Sequence, residues 1–399
     1  MTKAKELPKS EPSIHTFAIT GTFTSSILKE RIYDKLTKLT ESGEYERKGT
    51  STFSQKRTGL RVNLKPCNFG YSLTVSRINL ERITNGNSLL DKIKFDPISL
   101  SCYEIALERE LRKMAVPLND SSILWTMSRV DITQDFYVKS DPSLYIRVLR
   151  YNDPSYGKYV VKPNHYIRSN EKHSAKWVLK NVFDITVYDK QAELKNVAKR
   201  HDNVLPQDID NAQNALRYEV QMKRKFLRDV VEPRMRYSKW QGGWKYNWVT
   251  DYFIKLRKLI PATMQEIAME MFGKYPWVSC KEAEKRISVL YRHGNIGDEE
   301  LELMQEYFDY NNVKAEDGRC PDRSKWNFDS DEWKTIYQIL DFAQVNRTVI
   351  PEWVLNEREK NKKLIRCQPL WKMVQKIEDE PMCIFYEPQQ PALPNAHHY

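Results

Sequence analysis

Three short segments of the chain alternate between apolar and polar residues, and this pattern restricts the fold more than any other feature. They are residues 128–133 (SRVDIT), 181–190 (NVFDITVYDK) and 215–227 (ALRYEVQMKRKFL). An alternation with a period of two places successive side chains on opposite sides of a β-strand. Each segment therefore predicts a strand that buries an apolar face and presents a polar one, as strands of antiparallel sheets commonly do.

The polar faces of these strands would combine if the strands are neighbours in one antiparallel sheet. The combined surface would carry Asp131, Asp184, Glu219 and Tyr188 together with several basic residues. Carboxylate oxygens suit Mg²⁺ or Mn²⁺, and such an ion can polarise a phosphodiester. A tyrosine beside it can attack phosphorus and form a covalent phosphotyrosine. A solvated sheet face with alternating charges explains the same pattern, and the sequence alone leaves both interpretations open.

The remaining segments predict an α+β fold followed by a helical region. Strand-like and helix-like segments are mixed up to about residue 230 without a regular βαβ rhythm, and helical spacing dominates after it. We therefore predict an N-terminal antiparallel sheet with flanking helices, followed by an all-α accessory domain. The predicted boundaries are a flexible tail at 1–13, an α+β domain at 14–230, a helical region at 231–386 and a disordered tail at 387–399.

The charge of the chain favours a polyanionic partner. Its 64 Lys and Arg residues outnumber its 53 Asp and Glu residues, and residues 221–260 alone hold eleven basic against three acidic residues. Nucleic acid is the commonest polyanion that such chains bind, although many basic proteins bind none. Trp240, Trp244 and Trp248 in this stretch predict either a packed helix core or a platform on which bases stack.

The sequence favours a cytoplasmic protein. No apolar run is long enough to cross a membrane, and no apolar segment follows the charged N-terminus as it would in a secretory signal. The six cysteines form no C-x-x-C pair, which indicates reduced thiols rather than a zinc ribbon.

The three strand segments, taken in order, resemble motifs of a known family. The family pattern is S-R-[IV]-D-[AIV]-T, then Y-x-K-x-x-E, then R-[FY]-E-[AIV]-x-x-x-x-[RK]-x-L. This chain has SRVDIT at 128–133, YDKQAE at 188–193 and RYEVQMKRKFL at 217–227. The order and spacing resemble the gene II family of replication initiators, found in filamentous phages and related plasmids. The resemblance covers about residues 55–230.

The resemblance implies rolling-circle initiation of DNA replication. Members of that family nick one strand at a double-strand origin, keep its 5′-phosphate on a tyrosine, leave a 3′-OH primer and later rejoin the displaced strand. The resemblance further implies a sheet like that of nicking endonucleases, Mg²⁺ or Mn²⁺ as the cofactor, and origin DNA and displaced single-stranded DNA as partners. A host helicase and a single-strand-binding protein in a bacterial cytoplasm are also expected, and no membrane.

Position by position, the resemblance implies roles for particular residues. Tyr188 matches the nucleophile, and Asp131 and Glu219 match metal positions. Lys190 matches the lysine of the second motif, and Glu193 matches its acidic end, with a metal or acid–base role. We expect DNA contacts from five basic residues in and beside these motifs: Arg129, Arg217, Lys223, Arg224 and Lys225.

One departure concerns the wider class of nicking enzymes, many of which hold the metal ion with two histidines around one hydrophobic residue. This chain has no H-x-H. Either the metal site is built from carboxylates, or a lone histidine joins it. His165 and His173 are the nearest in sequence, and each is more commonly a surface or loop residue.

Two other functions remain open. A tyrosine recombinase would use His165 and Arg168, which form an H-x-x-R, together with Tyr188 and without a metal ion; that motif belongs on a helix, whereas this segment has a strand-like pattern. A non-enzymatic DNA-binding regulator of replication or copy number would explain the charge without Tyr188. Either a solvated helix face or contacts to duplex phosphates would explain three residues of the C-terminal region: Arg286, Arg292 and His293.

Overall fold

The computed structural model describes residues 10–85, 97–138, 141–151, 155–156, 159–160, 173–199, 204–235, 248–313, 326–360 and 366–375. The strands are β1 Ser13–Phe23, β2 Tyr45–Gly49, β3 Thr52–Gln55, β4 Arg61–Cys67, β5 Gly70–Ile78, β6 Leu124–Tyr137, β7 Ser155–Tyr156, β8 Tyr159–Val160, β9 Ser174–Leu179, β10 Phe183–Asp189, β11 Ala215–Lys223, β12 Trp277–Val278 and β13 Arg366–Cys367.

The helices are α1 Ser26–Glu41, α2 Leu80–Asn85, α3 Pro97–Lys113, α4 Pro142–Tyr151, α5 Lys190–Ala198, α6 Pro206–Asn211, α7 Arg224–Phe226, α8 Glu232–Arg234, α9 Trp248–Arg257, α10 Ile260–Phe272, α11 Cys280–Arg292, α12 Asp298–Asn312, α13 Ser330–Phe342, α14 Glu357–Lys360 and α15 Leu370–Met373. A π-helical stretch, Leu227–Val231, joins α7 to α8, and Glu352–Val354 forms a short 3₁₀ helix. None of the helices in the described part of the chain combines the length and apolarity that crossing a membrane requires.

A nine-stranded sheet organises the N-terminal part of the protein. Its strand order is β2-β3-β4-β5-β1-β6-β11-β10-β9, and neighbouring strands run antiparallel. Helices predominate after β11. The predicted fold class, an antiparallel α+β sheet followed by a helical region, is confirmed, and so is the expectation that the three alternating segments are neighbours.

Several predicted element limits differ from the structure. The second alternating segment, 181–190, is a strand only over Phe183–Asp189, because the chain turns between β9 and β10 at Asn181, which has a left-handed φ of 65°. The third segment, 215–227, is a strand only as far as Lys223 and continues as α7. The predicted tail at 1–13 already contacts the sheet at residues 10–13, where the backbone of Ser10 accepts a hydrogen bond from Gln134 at 2.6 Å. The predicted tail at 387–399 lies outside the described residues.

One face of the sheet forms the main hydrophobic core with helices from both parts of the chain. Side chains from α1, α3 and α4 pack there, and so do those of α9 and α10, which follow the predicted boundary at 230/231. The rings of Phe17 on β1 and Phe253 on α9 meet edge to face with centroids 5.0 Å apart. The first core therefore extends past the predicted boundary, and a separate core lies within residues 278–349.

We predict that Phe253→Ala destabilises the protein by about 3–5 kcal/mol, because it leaves a cavity against a core ring that is 0% exposed. Urea denaturation at neutral pH measures this change. Ile27→Ala, which alters a side chain 78% exposed on α1, is the control and should stay within about 0.5 kcal/mol. Equal effects of the two substitutions would contradict the packing of α9 on the sheet.

Candidate functional site

The polar face of β6, β11 and β10 gathers the residues that the sequence pattern singled out. Strand β11 lies between the other two, so each of its outward residues has a neighbour on both sides. Arg217 pairs with Asp135 and Tyr188, and Glu219 pairs with Thr133 and Thr186. We call this surface the acidic–tyrosine face and define it by these residues together with Asp131, Gln221 and Asp184.

The ion pair between Arg217 and Asp135 lies at the end of this face that contains Tyr188. The Nε of Arg217 donates to Oδ1 of Asp135 at 2.6 Å, and its second hydrogen bond to the same carboxylate is 2.8 Å long. Arg217 is only 3% exposed. Burial alone lowers the pKa of Arg217, whereas the hydrogen bonds and charge of Asp135 raise it above its ordinary value. The guanidinium is therefore a fixed positive charge beside Tyr188.

Tyr188 lies opposite Arg217 at the end of β10. Burial raises the pKa of its phenol, Arg217 lowers it, and the carboxylates of Glu219, Glu193 and Asp135 raise it further. The phenol is consequently protonated at neutral pH in the free protein. Its deprotonation during a reaction requires a positive charge or a proton acceptor close by.

Helix α5 begins directly after β10 and brings Lys190 and Glu193 beside Tyr188. The side chain of Asp189 caps this helix by accepting from the backbone N–H of Ala192 at 3.0 Å. Lys190 is 5% exposed, donates to Glu193 at 2.5 Å and lies 5.9 Å from the centroid of the Tyr188 ring. Burial and then Arg217 lower the pKa of Lys190, while Glu193 raises it.

Asp131 and Glu219 lie on adjacent strands further along the same face. Asp131 is 3% exposed and accepts hydrogen bonds from the hydroxyl of Thr16 and, at 3.0 Å, from Arg129. Burial raises the pKa of Asp131, and Arg129 opposes this shift. Burial also raises the pKa of Glu219 to about 7, and the charge of Asp131 adds to that increase. The two carboxyls therefore repel each other when both are ionised.

The donor atoms present suit a hard divalent cation. Oδ1 of Asp131 is buried and has no hydrogen-bond partner among the residues that the structure describes. A cation would satisfy that oxygen and remove the repulsion between Asp131 and Glu219. No group of three or more His, Cys, Asp and Glu side chains within the described ranges is arranged around one metal position. Mg²⁺ commonly uses one or two carboxylates and completes its shell with water and substrate phosphates, so two carboxylates fit.

Two residues of this region were missed in the sequence analysis. Asp135 continues the alternation of β6 that contains Arg129, Asp131 and Thr133, so the pattern itself could have identified it. His15 lies at a bulge of β1, where burial, Arg217 and Lys190 lower its pKa to about 4. Its imidazole is thus neutral at physiological pH. The sequence around His15 does not indicate that it lies at this site, because β1 pairs with β6 although the two strands are more than 100 residues apart in sequence.

The five predicted DNA-binding residues have different surroundings. Arg217 is buried on Asp135, and Arg224 donates to Glu232 and to the backbone of Met127, so both are already engaged. Lys223 forms an ion pair with Asp184, and Lys225 is exposed at the start of α7. Arg129 donates to Asp131 from a side chain that is 26% exposed. Direct contact of these residues with DNA stays a prediction, and Arg217 is better suited to positioning Tyr188.

The other predicted residues lie away from this face or outside the described ranges. His165, Arg168, Trp240 and Trp244 lie outside them, and Trp248 is 6% exposed in the main core. His173 lies 3.9 Å from Asp189 and is exposed. In the helical region, Arg286 forms an ion pair with Glu282, whereas Arg292 and His293 are exposed at the end of α11.

We predict that Glu219→Gln stabilises the metal-free protein at pH 8 and not at pH 4.5. The raised pKa of Glu219 means that the folded state binds its proton more tightly than the unfolded chain. This contribution to stability is complete below about pH 4.5 and is lost as the pH rises through 7. A neutral amide removes the loss, so the free energy of unfolding should increase by about 1–3 kcal/mol at pH 8.

Urea denaturation in EDTA at both pH values measures this difference. Glu306→Gln, at an exposed carboxylate of α12, is the matched control and should show no pH-dependent gain. A Glu219→Gln variant that is less stable than the wild type at pH 8 would show that Glu219 is a favourable charge and not a strained one.

No known family model matches the chain, and no curated protein matches it. Among solved structures, a rolling circle replication initiator protein from Geobacillus stearothermophilus is similar with a TM-score of 0.31 and 12% sequence identity. The similarity covers 64% of this chain and 85% of that one.

Proposed function

We propose that this chain is a rolling-circle replication initiator, which nicks one strand of origin DNA through a covalent 5′-phosphotyrosine and later rejoins the displaced strand. The observation that carries the proposal is the grouping of Tyr188, a fixed Arg217 cation and the Asp131–Glu219 carboxyls on three adjacent strands. A nucleophile, a positive charge and a potential metal site on one surface are what phosphodiester transfer requires. The net charge of +11 supports a nucleic-acid substrate.

In the proposed reaction, Oη of Tyr188 attacks the scissile phosphorus in line. The bond between phosphorus and the 3′-oxygen breaks as the bond to the tyrosine forms, and the phenolic proton leaves to a neighbouring base. The 3′-oxygen takes up a proton and becomes the primer hydroxyl. Because the phosphotyrosine conserves the bond energy, a later attack by a 3′-hydroxyl reverses the step and closes the displaced strand.

Arg217 and Lys190 assist this step by their charge. Arg217 favours the phenolate of Tyr188 and the negative charge that develops on phosphate oxygens in the transition state. Lys190 lies next to the Tyr188 ring, and its ion pair with Glu193 holds it there. The same ion pair keeps the Glu193 carboxylate near Tyr188, and we propose that it accepts the phenolic proton. Asp135 acts as a positioning residue because it orients Arg217 through two hydrogen bonds.

Asp131 and Glu219 would hold the divalent cation, Mg²⁺ or Mn²⁺. Such a cation would supply charge stabilisation for the scissile phosphate and the leaving oxygen, and it would offset the charge of Glu219, which otherwise raises the pKa of Tyr188. Because burial raises the pKa of Glu219 to about 7, we expect this carboxyl to release a proton when the site takes up the cation.

The two alternatives explain less of the site. A DNA-binding regulator has no use for a half-buried tyrosine beside a fixed cation and two repelling carboxyls, which reduce stability without a binding role. A tyrosine recombinase uses a largely helical catalytic domain, whereas Tyr188 lies on a strand of a nine-stranded sheet. We therefore favour the nickase, and with it the finer proposals of a gene II-like phage or plasmid initiator, a bacterial cytoplasm, and a host helicase and single-strand-binding protein as partners.

We predict that Tyr188→Phe reduces nicking by about 10³-fold or more while DNA affinity stays within about twofold, because only the attacking oxygen is removed. The assay uses supercoiled DNA that carries the sequence flanking the chain's own gene and follows the nicked circle and the protein bound to its 5′ end. Tyr137→Phe, at the other tyrosine near Asp135, is the matched control and should keep its activity. Undiminished nicking by Tyr188→Phe would refute the assignment of the nucleophile.

We further predict that Asp131→Asn removes the response of nicking to Mg²⁺ and lowers metal affinity by about 10–100-fold or more, because the amide lacks the charge that a hard cation needs. Titration calorimetry with Mg²⁺ and nicking with and without EDTA measure both effects. Asp184→Asn provides a control on the same face, since the Asp184 carboxylate is already paired with Lys223. Wild-type nicking that survives EDTA would contradict a metal-dependent mechanism.

A further inference from the structure

We propose that four basic residues arranged in a line across five neighbouring strands bind the phosphates of a single DNA strand on one side of the scissile phosphate. This basic row consists of Arg61 on β4, Arg77 on β5, Arg129 on β6 and Lys223 on β11, with Ala18 on β1 at its centre. The inference rests on the proposed function and adds a substrate subsite, with Arg61 and Arg77 as members that no sequence motif indicated.

The pairing of the strands establishes the row. Arg61 pairs with Ser76, the residue before Arg77, and Ala18 pairs with Arg129. Arg129 in turn pairs with Lys223. Because neighbouring strands lie about 4.8 Å apart, five strands place the ends of the row about 19 Å apart. The row is therefore long enough for several successive phosphates.

Bulges on both sides of Ala18 turn the arginines onto this face. On β5, Ser76 and Arg77 lie between the paired residues Val75 and Ile78, opposite Ala18 alone. On β6 the register shifts again between Met127 and Arg129. Bulges redirect side chains and are common beside active sites.

The backbone of Arg77 is strained in a way that favours a functional explanation. Its φ is 57°, in the left-handed region where glycine or asparagine is favoured over an arginine. Such a conformation costs of order 1 kcal/mol and persists where the surroundings impose it, often at binding sites. Arg77 is exposed, and its charged neighbours are Arg61 and Arg129.

The row has unused capacity to bind anions. In the described part of the chain, the Nε–H groups of Arg61 and Arg129 are buried without a hydrogen-bond partner. No ion pair involves Arg61 or Arg77 within the same residues, and burial and the charges of Arg61 and Arg129 lower the pKa of Arg77. Three guanidinium groups close together repel one another, and a phosphate between them would relieve that repulsion.

The position of the row relative to the reaction centre suggests how a strand would lie. Lys223 is two positions from Gln221, which pairs with Asp131, and four positions from Glu219, so the row lies about 7 Å beyond Asp131 and about 14 Å beyond Glu219. It is six positions, or about 20 Å, from Arg217, which pairs with Tyr188. A strand whose scissile phosphate lies between Tyr188 and Glu219 would reach the row with phosphates about 14–20 Å further along its backbone. A single strand can follow a sheet surface closely, whereas a stiff duplex touches it over a shorter length.

The test compares the full-length chain with the double variant Arg61→Ala/Arg77→Ala. The probe is fluorescein-labelled oligo(dT) of about 20 nucleotides, and anisotropy titrations over about 50–300 mM NaCl give affinity and salt dependence. Removing two phosphate contacts from a single strand should reduce the slope of log K against log salt by about 1.4 and weaken binding about tenfold or more near 100 mM salt. Arg31→Ala/Lys35→Ala removes the same charge from exposed positions of α1, the helix on the opposite side of the sheet, and is the matched control.

The outcomes separate this subsite from the proposed nicking activity. A reduced slope in the double variant and not in the control, with an unchanged melting temperature, supports the subsite. Equal slopes in the two variants, a wild type that does not bind oligo(dT), or an equal loss on a duplex of the same length would each overturn it. If the slope falls as expected but wild-type protein forms no covalent product on origin DNA, the phosphate subsite stands and the proposed nickase fails.

Discussion

The buried ion pair between Arg217 and Asp135 is the interaction on which the rest of the acidic–tyrosine face depends. Taking these charges out of water is costly and is offset only because Asp135 accepts two short hydrogen bonds from one guanidinium. Once fixed, the Arg217 cation affects every ionisable group near it. Together with burial it lowers the pKa values of His15 and Lys190, and it opposes the increases that burial causes at Tyr188 and Glu219. Burial and the Arg217 charge thus keep His15 neutral, and the same charge favours loss of the proton of Tyr188.

The same face contains charges that folding alone does not favour. Asp131 is buried and the half-buried Glu219 lies on the adjacent strand, and the arginines of the basic row are gathered with few anions beside them. Natural proteins place such conflicts where a substrate or an ion resolves them, because a site that is already satisfied has no reason to bind anything. The apolar face of the sheet behaves in the opposite way, since Phe17, Phe253 and their neighbours are fully buried and well packed. Stability therefore comes from one side of the sheet, and the proposed chemistry belongs to the other.

Backbone irregularities arrange the polar face as much as regular strands do. The bulges beside Ala18 give the sheet its exposed Arg77 and redirect Arg129, and a third bulge places His15 near Arg217. Helix α5 adds the final part, because the Asp189 cap starts it immediately after Tyr188 and so fixes Lys190 and Glu193 beside the phenol. Helix α5 lies at the Tyr188 end of the strands, whereas the basic row lies toward their other end.

The alternation of apolar and polar residues in three segments predicts the antiparallel sheet, its polar face and the places of Asp131, Tyr188 and Glu219 on that face. Alternation is a local property that a strand expresses wherever it is placed, so it could be recognised without the fold. The partners of each polar residue depend on the pairing of the strands. An arginine at position 217 could equally have contacted DNA, but the register of β11 with β6 places it in a buried ion pair with Asp135. Arg61 and Arg77 belong to the hairpin of β4 and β5, and this hairpin reaches the acidic–tyrosine face only through β1, the strand of His15, whose pairings with β5 and β6 are far apart in sequence. No local pattern encodes such a pairing, because its energy comes from burying the opposite faces of those strands in one common core.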